Sequence, residues 1–145
     1  MKKRLSNCLA FLVFAAGCSN DTAPPPARTS TGAEAVAKSY FEALARKDWQ
    51  GAYKTLSAGS KASCGPDQFA KLAEQHHRNL GFEPSEVRLQ SCDERNDEAI
   101  AHASFKGRAG SSQRYRKDKV ALRRESGTWA VVMPSTFGQA KPTKS

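Results

Sequence analysis

The hydrophobic spacing of this chain changes at Gly81, and that change limits what the chain can fold into. Before it, apolar residues recur at intervals of three and four. Val36, Ala37, Tyr40, Phe41 and Leu44 fall on one stripe of a helix over residues 33–46. Asp48 is placed to cap a second, short helix carrying Trp49, Ala52, Tyr53 and Leu56. Residues 57–64 are small and polar and read as a loop. A third helix opens at Gly65-Pro66-Asp67, with proline suited to the first turn and aspartate to the positive end of the helix dipole, and it closes at Gly81. Its expected buried face is Phe69, Leu72, Ala73, His76 and Leu80.

Beyond Gly81 the period drops to two. Val87, Leu89 and Ser91 alternate with Arg88, Gln90 and Cys92, residues 93–97 make a polar turn, and residues 99–106 read as the returning strand. After a turn over 107–112, the runs 113–124 and 128–133 flank Glu125-Ser126-Gly127, a hairpin signal. Consecutive antiparallel strands preceded by helices that need an apolar surface predict an α+β domain. In it the N-terminal helices lie across one face of a curved sheet, giving two layers around one core.

Ahead of this domain lies a segment of another kind. Lys2, Lys3 and Arg4 precede an apolar run from Leu9 to Ala16 that is too short to span a bilayer, the pattern of a secretion signal. Its end, Phe14-Ala15-Ala16-Gly17-Cys18, resembles the cleavage box of bacterial lipoproteins, although leucine is commoner where Ala15 stands. The resemblance implies removal of residues 1–17, with Cys8 among them, and lipidation of Cys18. It also implies the cell envelope, and Ser19 in place of an aspartate after the cysteine favours the outer membrane, facing the periplasm. Residues 18–32, with Pro24-Pro25-Pro26, bury too little apolar surface to fold and read as a tether of roughly 20 Å. The domain proper is expected over residues 33–137, and 138–145 as a basic flexible tail. With the leader removed, 20 basic residues face 14 acidic ones, a net charge of +6.

The order of elements resembles the nuclear transport factor 2-like superfamily, whose members fold into a cone between a bent sheet and a long helix. The residues that carry the likeness are Ala35-Val36-Ala37-Lys38-Ser39-Tyr40-Phe41-Glu42-Ala43-Leu44, then Lys47-Asp48-Trp49-Gln50-Gly51-Ala52-Tyr53, and finally Glu125-Ser126-Gly127-Thr128-Trp129-Ala130-Val131-Val132. The superfamily holds isomerases, dehydratases, ligand binders and small secreted lipoproteins, so the resemblance implies a cone and leaves the activity open.

Enzymes on that scaffold set an acid or histidine inside the cone, where burial tunes its pKa. Asp93, Glu94, Asp97 and Glu98 cluster in the predicted turn, and Asp118 lies between Lys117 and Lys119, so all five read as solvated. His102, between Ala101 and Ala103 and sharing a strand face with Ile100 and Ser104, is the candidate acid or base if that face is the concave one; without a partner at fixed spacing it reads first as a half-exposed sheet histidine. His76 and His77 point about 100° apart on a helix and do not make a ligand pair, so neither a metal nor another cofactor is expected. Cys64 and Cys92 remain once Cys8 and Cys18 are set aside, and an oxidising compartment predicts a disulfide between them. On the chain-entropy account it would contribute about 3–4 kcal/mol. Arg114-Tyr115-Arg116-Lys117-Asp118-Lys119 and Arg123-Arg124 could follow an anionic polymer or lipid, or guard a sheet edge. Nucleic acid is not an expected partner of an exported chain.

The leading functional expectation is therefore a non-catalytic, membrane-tethered binding module. Its concavity would be lined by Tyr40, Trp49, Tyr53 and Trp129 and would take a small apolar ligand or an envelope protein. An isomerase- or dehydratase-type enzyme using His102, and an electrostatic envelope-interaction protein, are the alternatives.

Overall fold

The structure is a computed structural model and describes residues 31–139; the leader, Cys18 and the segment 140–145 lie outside the described residues. Four helices, α1 (Ala33–Ala45), α2 (Trp49–Lys54), α3 (Ala58–Ser63) and α4 (Pro66–Leu80), precede four strands, β1 (Glu83–Arg95), β2 (Glu98–Ala109), β3 (Ser112–Glu125) and β4 (Thr128–Val132). The strands form one antiparallel sheet in the order β1-β2-β3-β4. The α+β architecture expected from the change of period is the one observed.

Local chemistry accounts for most boundaries. The Asp48 carboxylate accepts the Gly51 amide at 2.9 Å and caps α2. A Cβ on Gly51 would lie 2.2 Å from Asp48 Oδ2, so this cap requires glycine. Pro66 opens α4, and Gly81, at φ 72°, closes it in the left-handed region. Ser126 and Gly127, both at positive φ, turn β3 into β4 as a two-residue hairpin demands. The expected loop at 57–64 instead contains α3. Ser57 Oγ accepts the Ser60 amide at 3.2 Å, and one capped turn is enough to organise a run of small residues.

The core lies between α1 and the sheet. Tyr40 and Phe41 from α1, Phe69 from α4, Phe105 from β2, Val120 and Leu122 from β3 and Val131 from β4 are fully buried. β2 turns Ala99, Ala101 and Ala103 inward, all buried, and side chains this short let helix backbone approach the strand closely. Leu56 bridges Val131 in parallel, with Ser57 N–H donating to Val131 O and Val131 N–H to Thr55 O, each at 2.8 Å, so the outer edge of β4 is tied to the helical layer. Phe137, beyond the last strand, stacks on Phe69 at 5.4 Å between ring centroids and is 7% exposed. Phe137 is therefore part of the core.

Candidate functional site

Alternation along β2 decides the fate of His102. Ala99, Ala101, Ala103 and Phe105 take the buried face, which leaves Ile100, His102 and Ser104 on the outer face. His102 is exposed, opposite Ser91 on β1 and Lys119 on β3. It is a surface histidine of the sheet, outside the cone in which it could serve as acid or base. It lines a shallow outer cleft of ≈ 360 Å³ with Asp93, Arg95, Glu98 and Ile100, where water screens it and nothing buries it for proton transfer.

The four expected aromatic groups separate into three places. Tyr40 is 2% exposed in the core, its hydroxyl held well above the ordinary tyrosine range by burial and, secondarily, by the charge of Asp118. Trp129 is also buried, its indole N–H donating to Thr31 Oγ1 at 2.8 Å and its ring carrying the Arg124 guanidinium at 4.8 Å. Trp49 and Tyr53 do come together. With Gln50, Lys54, Pro66, Asp67 and Ala70 they line an open cleft of ≈ 410 Å³ between α2 and the start of α4. Both rings are braced from behind. Trp49 meets His77 edge-on at 6.1 Å, and Tyr53 packs on Phe69 at 5.6 Å while its hydroxyl donates to Cys64 O at 3.1 Å.

The inner face of β3 carries a pair that sequence reasoning missed. Asp118 shares that face with Val120 and Leu122, and its Oδ2 lies 3.2 Å from His76 Nε2 of α4. The side chains are 31% and 20% exposed, so water screens the pair only partly. The approach is at ion-pair distance without the alignment of a hydrogen bond. Phe137 stacks on the His76 ring at 5.0 Å and occupies one face of it. The signal was present in the alternation that runs back from Leu122 and Val120 to Asp118, and the flanking lysines masked it. On α4 it is His77, not His76, that is buried with Phe69, Ala73 and Leu80. Burial holds His77 below the usual histidine range, outweighing the attraction of Glu83.

The structure has Cys64 and Cys92 as free thiols, without the expected disulfide. Cys64 ends α3 beside Gly65, whose carbonyl its Sγ approaches at 3.7 Å. Cys92 lies on the inner side of β1 opposite Ala101, in the field of Glu34 at the start of α1. Burial raises the Cys64 thiol pKa, and burial with Glu94, Glu34 and Asp93 pushes Cys92 up to about 11, so both stay protonated near neutrality.

The basic run lies on β3, which pairs with β2 along its length but with β4 only from Ala121 to Glu125. No described strand covers the other edge of residues 112–120, so the edge-guarding reading holds for that stretch. Tyr115, Lys117 and Lys119 point to the outer face, opposite Lys106, Ser104 and His102.

No protein-family model matches the chain, nor does any curated protein. Solved structures do. A SEC-C motif-containing protein of Rhodopseudomonas palustris superposes with a TM-score of 0.51 at 17% identity, covering 68% of this chain and 73% of the other. A Campylobacter jejuni protein provisionally named an NTF2-like transpeptidase gives 0.53 at 14% identity over 70% of this chain and 97% of its own. The fold is nuclear transport factor 2-like. In this version of the nuclear transport factor 2-like cone, aromatic side chains of the protein itself pack the space between α1, α4 and the sheet. The likeness fixes the architecture and carries no activity with it.

Proposed function

We propose that this chain is a lipid-anchored envelope protein whose nuclear transport factor 2-like domain works as a non-catalytic binding module, with the α2–α4 cleft as its ligand site. One observation carries this reading. Tyr40, Phe41, Phe69, Phe105 and Phe137 occupy the interior that an enzyme of this fold would leave for substrate, while Trp49 and Tyr53 face an open cleft of ≈ 410 Å³. That volume falls in the range of small-ligand sites. Its wall is part apolar, from Trp49, Tyr53, Pro66 and Ala70, with Gln50, Lys54 and Asp67 supplying the polar groups that orient a ligand. The anchor rests on the leader and the Gly17-Cys18 box.

Two measurements test this. Mass spectrometry of membrane-fraction protein is expected to find an acylated N-terminus at Cys18; a soluble chain beginning elsewhere would end the anchor reading. Titrating the protein with fractionated envelope small molecules while following tryptophan fluorescence is expected to show saturable binding that Tyr53→Ala abolishes and His102→Ala leaves intact. The second reading, an isomerase-type enzyme, is favoured by the inward-facing Asp118–His76 contact beside Tyr40. Turnover of any fraction that disappears in Asp118→Asn would establish it in place of the binding module.

A further inference from the structure

We propose that the outer face of the sheet is a docking surface for anionic phospholipid, so that the domain lies on a bilayer by this face. Register sets the residues in rows across β1, β2 and β3: Glu86, Lys106 and Tyr115; then Arg88, Ser104 and Lys117; then Ser91, His102 and Lys119. These three rows hold four cations and one carboxylate, Glu86, which pairs with Arg88 and with Lys106. The neighbouring rows of the same face add Asp93 and Glu98 together with Arg95 and Arg123. Lys117 and Lys119 are exposed and have no ion pair among the described residues. Tyr115, 63% exposed, stands in the first of the three rows, and Ile100, 49% exposed, stands just past the last, in the row of Asp93 and Ala121. An aromatic with a polar tip and an aliphatic side chain beside lysines are the residues that settle at a bilayer interface.

Edge protection explains Lys117 and Lys119, but it does not require Lys106. That residue stands on β2, which is paired on both sides, and it extends the positive field across the sheet. A soluble polyanion would be served equally by charge, but it gives no role to exposed Ile100 and Tyr115. Proximity favours lipid as well. The described chain begins at Thr31, which is bonded to Glu94, Arg124 and Trp129 at one end of the sheet. Lys119 lies about 17 Å along β3 from Arg124 at 3.4 Å per residue. Thirteen residue steps separate Cys18 from Thr31 and reach up to about 45 Å. A face within that reach experiences a high local concentration of headgroups, and weak charge attraction then suffices. This proximity argument rests on the anchor proposed above; the lipid contact itself does not.

The test uses the chain from residue 18 onward, which contains every described residue, with Cys18→Ser so that no lipid can attach. It is sedimented with vesicles of phosphatidylcholine alone or mixed with phosphatidylglycerol. Binding is expected only to the mixed vesicles and is expected to fade in high salt. Each basic side chain removed from the face weakens binding about fivefold, so Lys117→Gln with Lys119→Gln costs on the order of thirtyfold. The matched control, Lys38→Gln with Lys71→Gln on the helical side, leaves binding within a factor of two or so on the same reasoning. Unchanged circular dichroism spectra certify that each variant is folded. Equal binding to both vesicle types, or equal loss in the control pair, overturns the proposal. Retention of soluble polyphosphate without vesicle binding overturns it too, in favour of a polymer. Because this chain carries no acyl group, a negative result leaves the Cys18 anchor standing, and an unlipidated Cys18 in cells leaves a positive result standing.

Discussion

Replacing Phe137 with alanine removes a ring that is 7% exposed and sits between two others, parallel to Phe69 at 5.4 Å and stacked on His76 at 5.0 Å. Phenylalanine-to-alanine changes in cores cost about 3–5 kcal/mol, through lost transfer energy and the cavity left behind. Phe137 lies outside any strand and near the chain end, where partial collapse is easier than in mid-sheet, so the lower part of that range, about 3 kcal/mol, is the expected loss. Domains of this size hold roughly 5–15 kcal/mol in all. The midpoint temperature should therefore fall by about 12–20 °C, taking 4–8 °C per kcal/mol and the smaller values for a domain of this length. Urea unfolding followed by tryptophan fluorescence measures it, and parent and variant should share one m-value. A loss under about 1 kcal/mol would refute the reasoning, because it would mean that the segment after β4 lies against the domain without sealing it. The change also uncovers a face of His76, so diethyl pyrocarbonate should modify the variant faster at that residue.

Three further outcomes follow from the geometry. Gly51→Ala should lower stability by about 1–2 kcal/mol in thermal melts, because a Cβ there meets the Asp48 carboxylate at 2.2 Å and displaces the α2 cap; an unchanged melt would show the cap to be dispensable. Alkylation of the native protein should find two thiols that react slowly near neutrality and faster toward pH 11 for Cys92, and a non-reduced peptide map showing Cys64 joined to Cys92 would contradict the structure. Burial lowers the pKa of His77 in the folded state, so the unfolded chain takes up the proton first; stability should fall as pH drops below about 6.5 toward the folded value, and His77→Phe should flatten that slope in denaturant titrations at a series of pH values.

The fold was legible wherever a local rule acts alone. Gly81 ends α4, Asp48 caps α2, Pro66 opens α4, and Ser126-Gly127 turns β3 into β4, each for a reason contained in a few residues. The candidate sites were less so, because period-two alternation says which residues share a face and not which face is inside. In β2 Ile100 and His102 share one face, and alternation alone left open whether that face was the concave one. The buried face belongs to the alanines, whose smallness admits the helices. In β3, Lys117 and Lys119 made Asp118 look solvated, although alternation sets it on the opposite face. On α4 one residue of helix rotation exchanged His76 for His77 on the buried face. Pairing Cys64 with Cys92 followed from elimination and compartment, and neither reports where two thiols lie in space.

Thr31 precedes α1, yet its bonds go to the sheet. Its hydroxyl donates to Glu94 on β1 at 2.6 Å and accepts from Arg124 on β3 and Trp129 on β4, at 2.9 and 2.8 Å. Tension on the chain ahead of it would enter the domain across three strands at once, with α1 bypassed. A pull that would peel a helix from its first turn, breaking one bond after another, must here load several bonds together. The domain should resist drag at its N-terminus better than so short a first helix would suggest.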